Sequence, residues 1–476
     1  MTPEEFRTAA HALVDWVADY RLQVPELPVQ TTVRPGEVRA GLPASAPQTP
    51  QPLGDLIRVL DEVVVPGMTL TQSPGFYGWF PSNASLASVL GDYVSSGIGA
   101  LGITWQSAPA LTEVEQVVTE WLRELTGLSS QWKGAIQDTA STGTLVAMLA
   151  ARERASDMSI DRGGLQAAER PLVVYSSEHA HSSVPKAVLL AGFGRENLRH
   201  IEVDPDTYAM RPQALREAMA ADVAAGRKPA AVVAAIGTTG TAAMDPVREI
   251  CAVAAEFGAW VHVDAAMAGS AMLLPECRKL FDGVDFADSL VWNPHKWMGT
   301  ILDCSLLYVR DVDHLVACMS TTPPYLRSDA DDEVVQYKDW GIPLGRRFRA
   351  LKLWFHLHLD GVEAIQQRLR RDLANAAWLA DAVAAEPDWR VLAPVQLQTV
   401  CVRHEPPGLA GDGLDRHTLA WADAVNASGR AFVSPSVLDG RWMVRVSIGA
   451  EATEREHVQA LWDLLREMAA ADAASG

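Results

Sequence analysis

The sequence predicts an α/β fold in which a mostly parallel central sheet is covered by helices, with an N-terminal arm before it and a small α+β region after it. Three observations carry this. From about Gly91 onward, helix-periodic stretches alternate with short apolar runs, the pattern of strands joined by crossover helices. Toward the C-terminus that alternation is lost and strands and helices come in a different order. Before Gly91, prolines interrupt a segment that has apolar faces but no core of its own.

Residues 2–23 read as a helix. Thr2 can cap it, Pro3 suits its first position, and Glu5 completes a capping box. Phe6, Leu13, Trp16, Val17 and Tyr20 fall on one face. Prolines at 25, 28, 35, 43, 47, 50 and 52 then impose an extended connection. Residues 1–85 are therefore expected to be a dimerisation segment that wraps over other structure. A large domain is expected over 86–352, with helices at 112–126, 142–153, 212–225 and 246–257. Its strands are expected at 172–175, 231–236, 260–263, 290–292 and 305–309. The junction falls in the helical stretch 348–360. A small domain over 353–476 should hold strands at 391–394, 398–402 and 442–447, and helices at 364–385 and 453–471.

Lys and Arg number 40 against 59 Asp and Glu, a net charge of −19 over 476 residues. That balance repels nucleic acid and anionic lipid, so neither is expected as a partner. No run is long and apolar enough to span a bilayer, and Met1-Thr2-Pro3-Glu4-Glu5 lacks a signal-peptide pattern. A cytoplasmic location is the expectation. Cys251, Cys277, Cys304, Cys318 and Cys401 are scattered, which reads as reduced thiols with no metal site.

The chemistry concentrates in two runs. Asn293-Pro294-His295-Lys296-Trp297 follows the apolar Leu290-Val291-Trp292, so Lys296 sits at the exit of a buried strand. An amine there can form an imine with a carbonyl, and the natural partner is pyridoxal 5'-phosphate (PLP). An ordinary surface lysine is the competing reading. Trp260-Val261-His262-Val263 is a second core strand, and it ends at Asp264, followed by Ala265-Ala266-Met267. A buried carboxylate needs a cation, and a protonated pyridine nitrogen is one; a helix N-cap is the alternative role. The two runs together favour the cofactor.

A phosphate would need donors. Asp138-Thr139-Ala140-Ser141-Thr142-Gly143-Thr144 opens a helix, whose N-terminus is an anion site. Ile236-Gly237-Thr238-Thr239-Gly240 ends another strand, where hydroxyls could reach ring substituents. His179 and His181 leave the strand ending near Tyr175, and an imidazole there could stack on a pyridine ring or handle a proton.

These runs, with Tyr175-Ser176-Ser177, His181-Ser182-Ser183, Phe76-Tyr77-Gly78-Trp79-Phe80-Pro81-Ser82 and Ile342-Pro343-Leu344-Gly345-Arg346-Arg347-Phe348, resemble the group II PLP-dependent decarboxylases of the aromatic-L-amino-acid decarboxylase family. The resemblance runs from Thr2 to about Glu467. It implies a fold-type I PLP-dependent transferase and a homodimer with shared active sites. It implies that Lys296 carries the cofactor, His181 stacks on its ring, Asp264 pairs with the pyridine nitrogen and Ala266 packs against the ring. Thr139, Ala140, Ser141 and Asn293 would hold the phosphate. Thr239 would lie near the cofactor hydroxyl and the substrate carboxylate, and His295 beside the lysine. The polar stretch 320–340 reads as an exposed loop, and the family places a proton-donating tyrosine at the position of Tyr325. Relatives that make aldehydes carry phenylalanine there, or asparagine at the position of His181; this chain has Tyr and His, which favours simple decarboxylation.

By the same resemblance the substrate meets Trp79, Pro81, Ser82, Leu101, Ile103, His181, Leu302 and Gly345. Gly345 leaves space where histidine- or tyrosine-selective relatives often carry serine, which suits an indole and puts L-tryptophan first, ahead of phenylalanine, tyrosine and DOPA. Trp79 stands where tyrosine is usual, Ile103 and Leu302 where phenylalanine is common, Met267 where tyrosine follows the alanines, and Ser82 where some relatives have a catechol-binding threonine. All could also be interchangeable packing residues. The competing readings are an aromatic acetaldehyde synthase, a decarboxylase of a non-aromatic amino acid, and a non-catalytic protein of the same fold.

Overall fold

A computed structural model describes residues 1–321 and 333–475. The chain divides into two compact units. One is Ser82–Ala376 with Leu392–Val400; the other is Met1–Pro81 with Ala377–Val391 and Cys401–Gly476.

The first unit is built on a seven-stranded sheet of β1 (Lys133–Gln137), β2 (Leu172–Ser177), β3 (Leu198–Ile201), β4 (Lys228–Ala235), β5 (Trp260–Asp264), β6 (Ser289–Trp292) and β7 (Ser305–Val309). Their order is β1-β7-β6-β5-β4-β2-β3. β2 pairs in parallel with β3 and β4, and β5 with β4 and β6. β7 runs antiparallel to both neighbours, β6 and β1. The cause is local: β6 passes to β7 without the crossover helix that a parallel return requires. The connection 293–304 therefore stays at the carboxyl edge of the parallel strands.

β2, β5 and β6 are buried along their whole length, which is why they read as continuous apolar runs rather than alternating ones. The helix Ala140–Ala155 lies against the sheet with ten buried residues. Gly143 permits the close approach, since a Cβ there would meet Val291 Cγ1 at 2.8 Å. The sheet and the mostly parallel pairing match the predicted fold class. The four expected helices are present, two of them starting earlier, as Pro109–Thr126 and Ala140–Ala155, and two within a residue of the expected bounds, as Pro212–Ala224 and Val247–Phe257. β1 and β3 were not foreseen.

The second unit carries β8 (Trp389–Val391), most of β9 (Thr399–His404), β10 (Ser434–Leu438) and β11 (Arg441–Ser447), in the order β10-β11-β9-β8. The strand expected at 391–394 instead ends at Val391, before Pro394, which has no N–H for a ladder. Val29, Phe76 and Phe432 pack together here. The N-terminal helix Pro3–Gln23 has the expected capping box: Thr2 N–H donates to Glu5 Oε2 at 2.6 Å, and Glu5 N–H to Thr2 Oγ1 at 3.2 Å. None of its residues is buried. Among the described residues no helix is long and apolar enough to cross a membrane.

Candidate active site

Lys296 lies on the turn Pro294–Met298, directly after β6. Its φ/ψ of −97°/−109° breaks the helical geometry of that turn, so the side chain leaves the turn at a kink. The main chain around it is fixed on several sides. Lys296 N–H donates to Asn293 C=O at 3.0 Å, and Asn83 Nδ2 donates to Lys296 C=O at 3.3 Å. Trp297, fully buried, donates Nε1 to Asp372 at 2.9 Å. Arg368 Nη2 donates to the carbonyls of Trp297 and Met298 at 2.6 and 2.7 Å. Lys296 itself is half-buried.

Asp264 ends β5, where it pairs in register with Ala235 of β4 and Val291 of β6. It is buried, and its Oδ1 accepts the Ala266 N–H at 3.0 Å. Ala266 C=O in turn accepts the Asn293 N–H at 2.9 Å. The two runs are thus laced together by backbone.

His181 follows β2 by four residues and reaches the same edge. It stands open to solvent on one side while protein crowds the other. That partial desolvation lowers its pKa; the Asp264 carboxylate opposes the shift and the Lys296 ammonium adds to it. The charges of Asp264 and Lys296 therefore both reach the His181 ring. Ser183 N–H donates to His181 Nδ1 at 3.1 Å, so the neutral ring carries its proton on Nε2. His262, two residues before Asp264, has a different part. It is wholly buried between Ser289 Oγ (2.8 Å) and Thr144 Oγ1 (3.3 Å), and burial pushes its pKa down to about 4. It is a satisfied core histidine.

Thr139 occupies the N-cap of Ala140–Ala155, and its C=O accepts the N–H groups of Thr142 and Gly143, both at 3.1 Å. The N–H groups of Ala140 and Ser141 precede the first intrahelical bonds and are available to an anion. β1 and β6 both emerge beside the start of β7, Gln137 opposite Ser305 and Trp292 opposite Leu306. The helix N-terminus and Asn293 therefore leave the sheet at the same edge. Asn293 is buried, and its Oδ1 has no hydrogen-bond partner among the described residues. Thr239 sits half-buried at the tip of the turn after β4, which closes through Gly237 N–H to Ala243 C=O at 2.9 Å. Gly237 is required there: its φ is +80°, and a Cβ would meet Ala268 Cβ at 2.7 Å. His295 is buried beside Lys296.

The substrate candidates fall into three groups. Leu101, Ile103 and Gly345 are brought together, because Gly102 and Arg346 exchange backbone hydrogen bonds at 3.1 and 2.9 Å. A Cβ on Gly345 would meet only Leu101 Cδ1, at 3.7 Å. Leu302 is 55% exposed and Ser82 half-buried in the same unit. Trp79 and Pro81 belong to the other unit. Trp79 has φ of 45°, rare for so large a side chain. Its N–H donates to Ser434 Oγ at 2.8 Å and its C=O accepts from Arg445 Nη1 at 3.1 Å. Tyr325 lies outside the described residues.

Sequence reasoning missed the supports of the lysine turn: Asn83, Arg368, Asp372 and the Asp303–Cys304 segment. The one available signal was charge inside an apolar pattern, as at Asp372 amid the helix Val362–Ala385.

An imidazole within reach of the charges of an amine and a carboxylate, beside an open helix N-terminus, suits a phosphorylated aldehyde with a basic ring nitrogen. The wider comparisons agree. Residues 35–405 match the family described as "Pyridoxal-dependent decarboxylase conserved domain". The chain belongs to the pyridoxal-dependent decarboxylases. It falls within their aromatic-L-amino-acid decarboxylase family and is a PLP-dependent carboxy-lyase. Tyrosine decarboxylase 2 of Narcissus pseudonarcissus is 40% identical over 98% of this chain and 95% of its own length. Phenylacetaldehyde synthase of Arabidopsis thaliana is also 40% identical, over 98% of this chain and 96% of its own. A crystal structure of Oryza sativa TDC with PLP and tryptamine superposes with a TM-score of 0.95 at 37% identity, covering 99% of this chain and 98% of that one. The decarboxylase fits PLP on its own observations: the open N–H groups of the helix end offer an anion site, and the buried Asp264 offers a counter-charge at the same edge of the sheet.

Proposed function

We propose that this decarboxylase removes the α-carboxylate of an aromatic L-amino acid, L-tryptophan foremost, and releases the arylalkylamine and carbon dioxide. The observation that carries the reading is the placement of Lys296, Asp264 and His181 at the carboxyl edge of the sheet, where the charges of the first two act on the His181 ring. Lys296 is the residue that holds the cofactor. Asp264 faces the pyridine nitrogen, with Ala266 against the ring and His181 stacked over it. Thr139, Ala140, Ser141 and Asn293 hold the phosphate. Thr239 serves the cofactor hydroxyl and the substrate carboxylate, and Tyr325 delivers the proton to the α-carbon. When bound, PLP supplies the sink for the electron pair that the departing carboxylate leaves behind.

A panel of amino acids, with carbon dioxide, amine, aldehyde and peroxide all measured, tests this. Amine and carbon dioxide should appear in equal amounts from aromatic substrates, tryptophan fastest. The Arabidopsis relative's name makes aldehyde formation the second reading, and mainly aldehyde with peroxide from wild type would establish it instead. Selectivity rests on the space at Gly345, beside Leu101. Gly345→Ser should move the kcat/KM ratio from tryptophan toward tyrosine by about tenfold, the scale of a small pocket change. An unchanged ratio would place selectivity elsewhere.

The active form is a homodimer with shared sites. The helix Leu86–Ile98 turns small residues inward (Ala87, Ser88, Gly91, Ser95) and leaves Leu86, Leu90, Tyr93 and Ile98 46–61% exposed. So apolar an outward stripe calls for a cover, and the uncovered N-terminal helix is a second such element. Leu90→Glu should halve the mass seen by light scattering and remove most activity. A fully active monomer would refute the shared site.

A further inference from the structure

A set of charges, Arg349, Asp303 and Asp92 part-buried and Lys352 buried, is linked through Cys304 to His295, the neighbour of Lys296, and the reaction as described does not use it. Arg349 donates Nε and Nη2 to the two carboxylate oxygens of Asp303, both at 3.0 Å. Lys352, fully buried, donates Nζ to Asp303 C=O at 3.2 Å and pairs with the carboxylates of Asp92 at 3.2 Å and Asp303 at 3.5 Å. Two cations thus hold one aspartate by its side chain and by its main chain. A bidentate guanidinium–carboxylate pair fixes orientation as well as position.

Asp303 is followed by Cys304, which is tied to His295 in both directions. His295 N–H donates to Cys304 C=O at 3.3 Å, and Cys304 N–H donates to His295 Nδ1 at 3.0 Å. A backbone amide can only donate. Nδ1 must therefore be the bare nitrogen, and the neutral ring carries its proton on Nε2. Burial, with Lys296 alongside, pushes the His295 pKa down to about 4, so the ring stays neutral through the working range. With Nδ1 engaged behind it, the remaining polar edge of His295 is a donor. If the Asp303–Cys304 segment slid by about 1 Å the amide would leave Nδ1, and the ring could take up its other tautomer. That would put an acceptor, a potential base, next to the cofactor lysine.

We propose that Arg349 is a positioning residue: through Asp303 and the Cys304 backbone it locks His295 as its Nε2–H tautomer beside Lys296. The inference rests on the reading of Lys296 as the cofactor lysine. It goes beyond that reading in giving a part-buried ion pair, 46 residues apart in sequence, a part in setting the protonation of the site.

The test uses the holoenzyme and follows the visible absorbance of the bound cofactor against pH without substrate. Kinetics and the 15N shifts of labelled histidine are measured alongside. Arg349→Gln should displace the absorbance midpoint by about half a pH unit or more and lower kcat roughly tenfold with KM within about twofold, as for a lost orienting contact. Arg349→Lys, which keeps the charge without the fork, should fall between. Asp303→Asn should match Arg349→Gln, and it serves if the arginine variant fails to fold. His295→Gln places an N–H where Nε2–H stands, and should keep more activity than His295→Asn. In the His295→Gln background, Arg349→Gln should move the midpoint no further. A wild-type midpoint in Arg349→Gln, or a shift that persists in the His295→Gln background, overturns the proposal. Failure of borohydride to label Lys296 in wild type would instead overturn the underlying reading.

Discussion

Lys296→Ala is expected to lose at least about 10³-fold in kcat, since on the proposed function one side chain both binds the cofactor covalently and moves protons, and general acid–base catalysis alone is worth roughly 10²–10⁴-fold. The protein should survive the change. The turn around residue 296 is held by groups other than its side chain: Asn83 on the carbonyl, Arg368 on the next two carbonyls, and Asp372 on the Trp297 indole. Removing a half-buried lysine leaves all of these in place, so the melting temperature should stay within a few degrees of wild type. Borohydride reduction followed by peptide mapping should find the cofactor adduct on Lys296 in wild type and no adduct in the variant. The combination is diagnostic. A variant that melts early would make the activity loss uninterpretable, and one that still turns over would assign the amine to another lysine.

The candidate site was legible because its residues lie at strand ends. Asp264 and Lys296 are each preceded by an apolar, wholly buried run, and such a run announces itself in sequence even when its neighbours do not. β1 escaped because Lys133-Gly134-Ala135-Ile136-Gln137 has only one β-branched residue, and it becomes a strand by pairing with β7. The helix Leu86–Ile98 escaped because its burial is inverted: small residues pack inward, so the large ones trace a stripe that does not point to this chain's own core. Gly91 explains the choice, since a Cβ there would meet Leu351 C=O at 2.5 Å. The Arg349–Asp303 pair could not be read from spacing at all. Arg349 stood next to a run quoted only for its resemblance, and its partner lay in a connection with no pattern of its own. What sequence concealed was long-range hydrogen bonding; what it displayed was the hydrophobic frame that those bonds are hung on.

Asp264 separates charge from shape, and the second large effect follows from that. Its Oδ1 accepts the Ala266 N–H at 3.0 Å, a bond that an asparagine oxygen can make equally well. Asp264→Asn therefore keeps the local backbone and removes only the negative charge; Asp264→Ala removes both. Breaking a buried charge pair by deleting one partner costs about 3–5 kcal/mol, which is roughly a 10²–10⁴-fold loss in rate if the charge is needed throughout the reaction. Both variants should lose that much in kcat and bind PLP more weakly, with Ala the weaker binder. His181 supplies an internal check. Asp264 opposes the fall in its pKa, so removing the carboxylate should lower the His181 pKa further, visible in its ring resonances as a titration displaced to more acid pH. The reason for the rate loss can be isolated as well. If Asp264 acts by keeping the pyridine nitrogen cationic, Asp264→Asn reconstituted with PLP methylated on that nitrogen, and so permanently charged, should recover activity that unmodified PLP does not restore. No recovery, with the analogue shown to bind, would mean that the carboxylate serves to orient the ring rather than to charge it.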